Sequence, residues 1–130
     1  MTRDEAAISR TFSDYAQAFQ TLRTDAILPY CHVPCVFISA QGMRVLATAP
    51  EVEAFFTQVI QALKARAYER SVLTSLGVRQ MSERTAMVSV SRVRYRTDGE
   101  ELERVGETYT LVKTGDDWKI AAALVHDPEG

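Results

Sequence analysis

The sequence predicts an α+β fold, with helices in the first half of the chain and a sheet in the second. Apolar residues recur every three to four positions over Ile8–Leu22 and again over Val52–Leu63, the period of amphipathic helices. From Tyr68 onward the pattern changes to long β-branched runs. These are punctuated by Thr97-Asp98-Gly99-Glu100 and Thr114-Gly115-Asp116-Asp117, two tight-turn signals. The two hairpins, registered separately from their turns, also agree about which face of the sheet is apolar, a consistency expected of a foldable sequence.

Thr2-Arg3-Asp4-Glu5 has the form of a capping box, and Ile8, Phe12, Tyr15, Phe19 and Leu22 form the buried stripe of the first helix. Thr24-Asp25 caps a short second helix reaching about Tyr30, and Pro34 breaks the chain beyond it. Cys35–Ser39 is a short strand, Ala40-Gln41-Gly42 a turn, and Met43–Leu46 the partner strand. Thr48 caps the long third helix, with Pro50 in its first turn and Glu51 completing a second capping box. Its stripe is Val52, Phe55, Phe56, Val59, Ile60 and Leu63. Four long strands complete the chain: Tyr68–Arg79, Thr85–Arg96, and the two arms of the hairpin Glu103–His126.

A two-residue Gly115-Asp116 loop pairs Leu111 with Ile120, Tyr109 with Ala122, Glu107 with Leu124 and Val105 with His126. A two-residue Asp98-Gly99 loop pairs Arg94 with Glu103, Arg92 with Val105, Val90 with Glu107 and Val88 with Tyr109. Strand side chains alternate between faces. One face therefore carries Ala86, Val88, Val90, Arg92, Arg94, Val105, Glu107, Tyr109, Leu111, Trp118, Ile120, Ala122, Leu124 and His126. It is bulky and mostly apolar, and is assigned to the core. The other, with Met87, Ser89, Ser91, Val93 and Tyr95 beside Arg104, Gly106, Thr108, Thr110 and Val112, mixes small and apolar residues. It suits a flat contact with a second copy, so a homodimer through the outer sheet face is expected.

The 130 residues suffice for one domain with its own core, and 46% hydrophobic with 25% charged residues is a globular composition. A net charge of −2 argues against non-specific nucleic-acid binding, and no apolar run reaches a membrane span, so neither partner is expected. The start, Met-Thr-Arg-Asp-Glu, lacks the apolar segment of a secretory signal. Two cysteines, Cys31 and Cys35, make no disulfide framework, and a reducing, cytoplasmic setting is expected. Cys31-His32-x-x-Cys35 with His126 as the only other histidine supplies too few ligands for a zinc site, so no metal or other cofactor is expected.

Within the apolar face, Val105 lies between Arg92 and His126, with Glu107 one diagonal step from each. Buried charge must pair or reach water. A functional reading makes Glu107 or His126 a general acid or base and Arg92 an oxyanion or carboxylate binder; a structural one makes the group an ion pair closing the open end of the sheet. Tyr15, Phe19, Phe37, Phe55, Tyr109 and Trp118 are candidate pocket-lining aromatics, the alternative being plain core packing. The row Arg92, Arg94, Arg96 is neutralised by Glu103 opposite Arg94 and Glu101 opposite Arg96.

In its order of elements and its closing pattern Gly106-x-x-Tyr109-Thr110-Leu111 … Gly115-x-x-Trp118-Lys119-Ile120 … His126, the chain resembles the nuclear transport factor 2-like superfamily. That superfamily includes ketosteroid isomerases, scytalone dehydratase and SnoaL-like polyketide cyclases. The resemblance covers nearly the whole chain. It implies a curved, mixed but mainly antiparallel sheet wrapped around the first and third helices: a cystatin-like cone with a pocket at its open end, one domain over residues 1–130, dimerising through its outer face. The isomerases carry an aspartate base where this chain has Phe37-Ile38-Ser39-Ala40, and Tyr15 matches their first-helix tyrosine only by position. Their activity is therefore not transferred. The function expected is binding of a small apolar organic molecule. The alternatives are an isomerase-, cyclase- or dehydratase-type enzyme using Glu107 or His126, and a non-catalytic dimerisation scaffold.

Overall fold

A computed structural model describes residues 4–128. Helix α1 (Glu5–Gln20) buries Ile8, Phe12, Tyr15 and Phe19, as their spacing requires. Its N-cap position falls on Asp4, and Thr2 of the expected capping box lies outside the described residues. Leu22, expected to extend the stripe, comes after the helix in a left-handed conformation (φ 56°) and still packs half-buried on the core. Helix α2 (Thr24–Ile27) has Arg23, not Thr24, at its N-cap position, with no side-chain cap, and runs into a 3-10 turn over Leu28–Tyr30. Helix α3 (Ala49–Ala65) begins as expected: Thr48 accepts from the Glu51 backbone N–H at 3.4 Å, and its hydroxyl donates to the Glu51 carboxylate at 3.0 Å.

The strands are β1 (Cys31–Ser39), β2 (Gly42–Leu46), β3 (Tyr68–Gln80), β4 (Thr85–Arg96), β5 (Glu101–Thr114) and β6 (Asp117–His126). They form an open six-stranded sheet in the order β2-β1-β6-β5-β4-β3, antiparallel except for β1 beside β6. Pro34 lies inside β1 instead of ending it. The register against β6 jumps from Cys31 to Val36, so the proline occupies a stretch unpaired with either neighbour, where a missing N–H costs nothing. Helix α3 meets β1 and β2 at one edge of the sheet and β3 at the other. The sheet must therefore curl around it, and bulges in β3, β5 and β6 supply bends. The resulting mixed α+β architecture is the one expected.

The two hairpins depart from expectation in opposite ways. The β4–β5 loop is three residues, Thr97–Gly99, closed by Arg96 and Glu100, with Gly99 at φ 87°. Leu102 then bulges out and restores the expected register from Arg94–Glu103 onward. One consequence is that Arg96 does not face Glu101; Glu101 instead binds Arg104 through contacts of 2.9 and 3.0 Å. The β5–β6 loop has the expected Gly115-Asp116, and the register holds to Leu111–Ile120. There Ala121 is left unpaired, and beyond it the pairs are Thr110–Ala122, Tyr109–Ala123, Glu107–Val125 and Gly106–His126. Every β6 residue past the bulge has changed face.

Candidate functional site

A cavity of about 240 Å³ opens between the helices and the inner face of the sheet. Helix α1 contributes Tyr15 and Phe19, and α3 contributes Phe55, Phe56 and Val59. Strand β1 adds Phe37; β4 and β5 add Arg94, Glu103, Val105, Glu107 and Tyr109; β6 adds Ala123 and Val125. Five of the six aromatics expected to line a pocket are therefore in this wall. The rings form two clusters. Tyr15 meets Tyr109 edge-on at 5.8 Å between centroids, and Phe37 stacks on Phe55 at 4.5 Å and 23°.

Trp118 is the exception. It occupies the inner face far down β6, beside Lys113, and borders a separate surface depression with Asp117, Lys119 and Tyr30. Its expected place in the pocket is corrected by the length of the strand, since four residues lie between it and Ala123 in the cavity wall.

Glu107 is the polar centre of the wall. It is 7% exposed, with Arg92 4% exposed and not itself in the wall. Arg92 Nη2 lies 2.5 Å from Glu107 Oε1 and donates to the Tyr109 hydroxyl at 3.3 Å. The contact with Glu107 is close but not aligned as a hydrogen bond, and Oε1 and Arg92 Nε are buried without an aligned partner. Oε1 is thus sealed against the guanidinium, and the Tyr109 hydroxyl is a neighbouring donor to the same carboxylate. Burial works against the Arg92 charge, but Tyr109, Glu107, Tyr15 and Tyr68 together hold its pKa above the ordinary value.

The two tyrosine hydroxyls remain protonated across the accessible pH range. Burial is the main cause at both; the Glu107 carboxylate comes second, and each pKa is pushed well above 10. They are donors, not bases. At the rim, Arg94 donates to Glu103 at 2.8 Å, and Arg66 reaches the same carboxylate at 3.1 Å.

His126 is not in this site. The expected triangle of Arg92, Glu107 and His126 rested on an uninterrupted β6, and the Ala121 bulge turns His126 onto the outer face. There its Nδ1 donates to the Asp127 carbonyl at 2.7 Å, and Nε2 lies 3.0 Å from the Thr108 hydroxyl. Around it is a shallow outer groove of about 330 Å³ lined by Ser75, Ser89 and Ser91. Ala122 and Leu124 turn outward with it, and Ala123 and Val125 take their places inside.

Sequence reasoning missed Ala123 and Val125 for this reason, and it read Arg94, on the inner face, as neutralised by Glu103 without seeing that the pair forms the cavity rim. Phe56 and Val59 were legible as part of the α3 stripe, but not as wall residues. Cys31 and Cys35 are buried and unpaired, while His32 turns its Nδ1 to the Pro34 carbonyl in the exposed part of β1. No helix among the described residues is long and apolar enough to cross a membrane.

Comparison with known proteins agrees with this architecture. A solved NTF2-like protein of unknown function from Pseudomonas putida superposes with a TM-score of 0.80 at 15% identity, covering 100% of this chain and 90% of that one. A ketosteroid isomerase-like protein from Erwinia carotovora superposes with a TM-score of 0.73 at 14% identity, with both chains covered in full. An NTF2-like protein with a cystatin-like fold from Novosphingobium aromaticivorans gives 0.75 at 17% identity, covering 98% of this chain and 82% of that one. At these identities the likeness is one of fold. No curated protein matches the sequence. The model of one family, described as NTF2-like protein (DUF6841), matches residues 4–128, and the chain belongs to that family.

Proposed function

We propose that the chain acts as a single domain that binds a small aromatic or otherwise apolar organic molecule in the inner cavity. The observation that carries this reading is the composition of the wall: aromatic rings on three sides, two protonated tyrosines, and one carboxylate held in place from behind. Pockets for small organic ligands combine an apolar body with few, fixed polar groups. At about 240 Å³ the space is smaller than the ~300–1,000 Å³ of drug-sized pockets, which restricts the ligand to about one ring with short substituents.

The test uses p-cresol as a probe. A ligand at ten times its Kd adds about 1.4 kcal/mol and raises Tm by roughly 5 °C. Val125 is 38% exposed and borders the cavity, so Val125→Trp blocks the entrance without disturbing the core. The wild type is expected to gain Tm with p-cresol and the variant to gain none; equal responses would refute the reading.

A second reading, an isomerase-, cyclase- or dehydratase-type enzyme with Glu107 as its base, is favoured by the juxtaposition in one wall of its carboxylate with two tyrosine hydroxyls that could hold a developing oxyanion. It requires Glu107→Gln to abolish turnover while the fold persists. The outer face supports the expected homodimer. The cross-strand rows Met43–Ile38–Leu124–Thr108–Ser89 and Val45–Val36–Ala122–Thr110–Met87 place Met43, Val45, Leu124 and Met87 there, all exposed. A monomer at micromolar concentration in sedimentation equilibrium would exclude that dimer. Two buried free thiols support a reducing, cytoplasmic setting.

A further inference from the structure

Beside the inner cavity lies a second space of about 370 Å³, bounded by the β1–β2 hairpin. The two share Phe37, Phe55 and Val125 as walls. Their chemistry differs. The inner cavity carries Glu107 and the paired Arg94–Glu103, so its one cation is already occupied. The outer space carries Arg44 and no acidic residue in its lining. Arg44 is exposed, its guanidinium carbon stands 5.5 Å from the centre of the Phe55 ring, and it has no ion-pair partner among the described residues. The face of Phe55 thus steadies the guanidinium while its N–H fork stays free, and a free fork matches the two oxygens of a carboxylate. At the other end, the Glu107 carboxylate borders the inner cavity beside the Tyr109 hydroxyl, and a carboxylate can accept more than one hydrogen bond.

Resting on the reading of the inner cavity as a ligand site, we propose that the preferred ligand is an aryl carboxylate carrying a hydrogen-bond donor at the far end of its ring. The ring lies along Phe37 and Phe55, which are only half-buried and form an aromatic surface common to both spaces. The carboxylate pairs with Arg44 in the outer space, and the donor, a hydroxyl or ring N–H, meets Glu107 in the inner one. Arg44 is a specificity residue: it selects for charge and takes no part in the aromatic contact.

The experiment measures the affinities of 4-hydroxyphenylacetate, its neutral analogue 4-hydroxyphenylacetamide, and p-cresol for the wild type, Arg44→Gln and Glu107→Gln by titration calorimetry. Wild type is expected to bind the acid about tenfold more tightly than the amide, the low end of what a charge-assisted hydrogen bond contributes. Arg44→Gln removes that ratio and leaves amide and p-cresol affinity unchanged. Glu107→Gln weakens all three hydroxyl-bearing probes and keeps the acid-over-amide ratio. Wild type that binds acid and amide equally, or an Arg44→Gln variant that keeps the preference, overturns this proposal alone. If none of the three probes binds, the cavity reading fails and this proposal with it. Because Arg44 is exposed, the variant's melting curve should match that of the wild type, which excludes misfolding as the cause of a lost preference.

Discussion

Removing one member of the Arg92–Glu107 pair is expected to cost more stability than removing both. Exposed ion pairs are worth about 0–1 kcal/mol, whereas orphaning one partner of a buried pair costs about 3–5 kcal/mol. The side chains here are 4% and 9% exposed, so the second scale applies. The two ends of that range can also be assigned. In Arg92→Met, the Glu107 carboxylate still borders the cavity, whose 240 Å³ has room for about eight waters at ~30 Å³ each, so it can hydrate. That variant belongs near 3 kcal/mol. In Glu107→Leu, the guanidinium stays behind the wall with the Tyr109 hydroxyl at 3.3 Å and an Nε that already lacks a partner, which places this variant near 5 kcal/mol. The double variant leaves no charge to strand and should be more stable than either single one. Trp118, the chain's one tryptophan, is buried and reports unfolding in urea by fluorescence. Single variants that each cost less than about 1 kcal/mol, or a double variant below both singles, would refute the assignment of this pair as buried and coupled.

Two further outcomes rest on the geometry. Gly106→Ala would put a methyl 2.6 Å from His126 Cε1 and 2.8 Å from the Asp127 carbonyl oxygen, so the ring and the chain end must move. The cost is about 1–3 kcal/mol of overpacking, offset by about 0.4–1 kcal/mol of lost unfolded-state freedom; calorimetry gives the net, and a variant more stable than wild type would contradict it. At alkaline pH, Tyr15, Tyr109 and Cys31 act together. Burial raises all three, with Glu107 next in importance at the tyrosines and Cys35 next at Cys31, whose thiol is pushed up to about 12. A folded pKa above the unfolded one means that the contribution is complete below the unfolded value and is lost as pH rises beyond it. The loss therefore begins near pH 9.0 for the thiol and near 10.0 for the phenols. Tm should fall above pH 9, and tyrosinate absorbance should leave two of the five tyrosines silent until unfolding. Five tyrosines titrating in the native protein would contradict this.

How far the sequence could be followed depended on where side chains carry contrast. The helices were legible because Ile8, Phe12, Tyr15 and Phe19 differ sharply from their neighbours, and the β4–β5 face because Val88, Val90 and Tyr109 alternate with serines and threonines. Contrast fails in Ile120-Ala121-Ala122-Ala123-Leu124, where three alanines fit either face. A bulge there answers the curvature demanded by the helices, not a local signal, so the faces of Ala123, Val125 and His126 were set by tertiary structure. The Asp98-Gly99 turn was misjudged by one residue, and the Leu102 bulge cancelled the error, so that Arg92 and Glu107 were placed correctly on the inner face by a loop of the wrong length. Arg44 carried no sequence signal: its value comes from Phe55, a residue of another element.

The unpaired Ala121 also bears on how such a cavity acquires new chemistry. Because a strand alternates, a shift of one residue in its pairing exchanges everything beyond it between the two faces. Drawing Ala121 into the ladder opposite Thr110 would turn Leu124 and His126 inward in place of Ala123 and Val125, bringing an imidazole toward Glu107 without substituting any residue. A carboxylate alone and a carboxylate with an imidazole are different catalytic starting points. In this fold they are separated by the pairing of one residue, and a lineage could cross between them while its helices, turns and aromatic walls stay as they are.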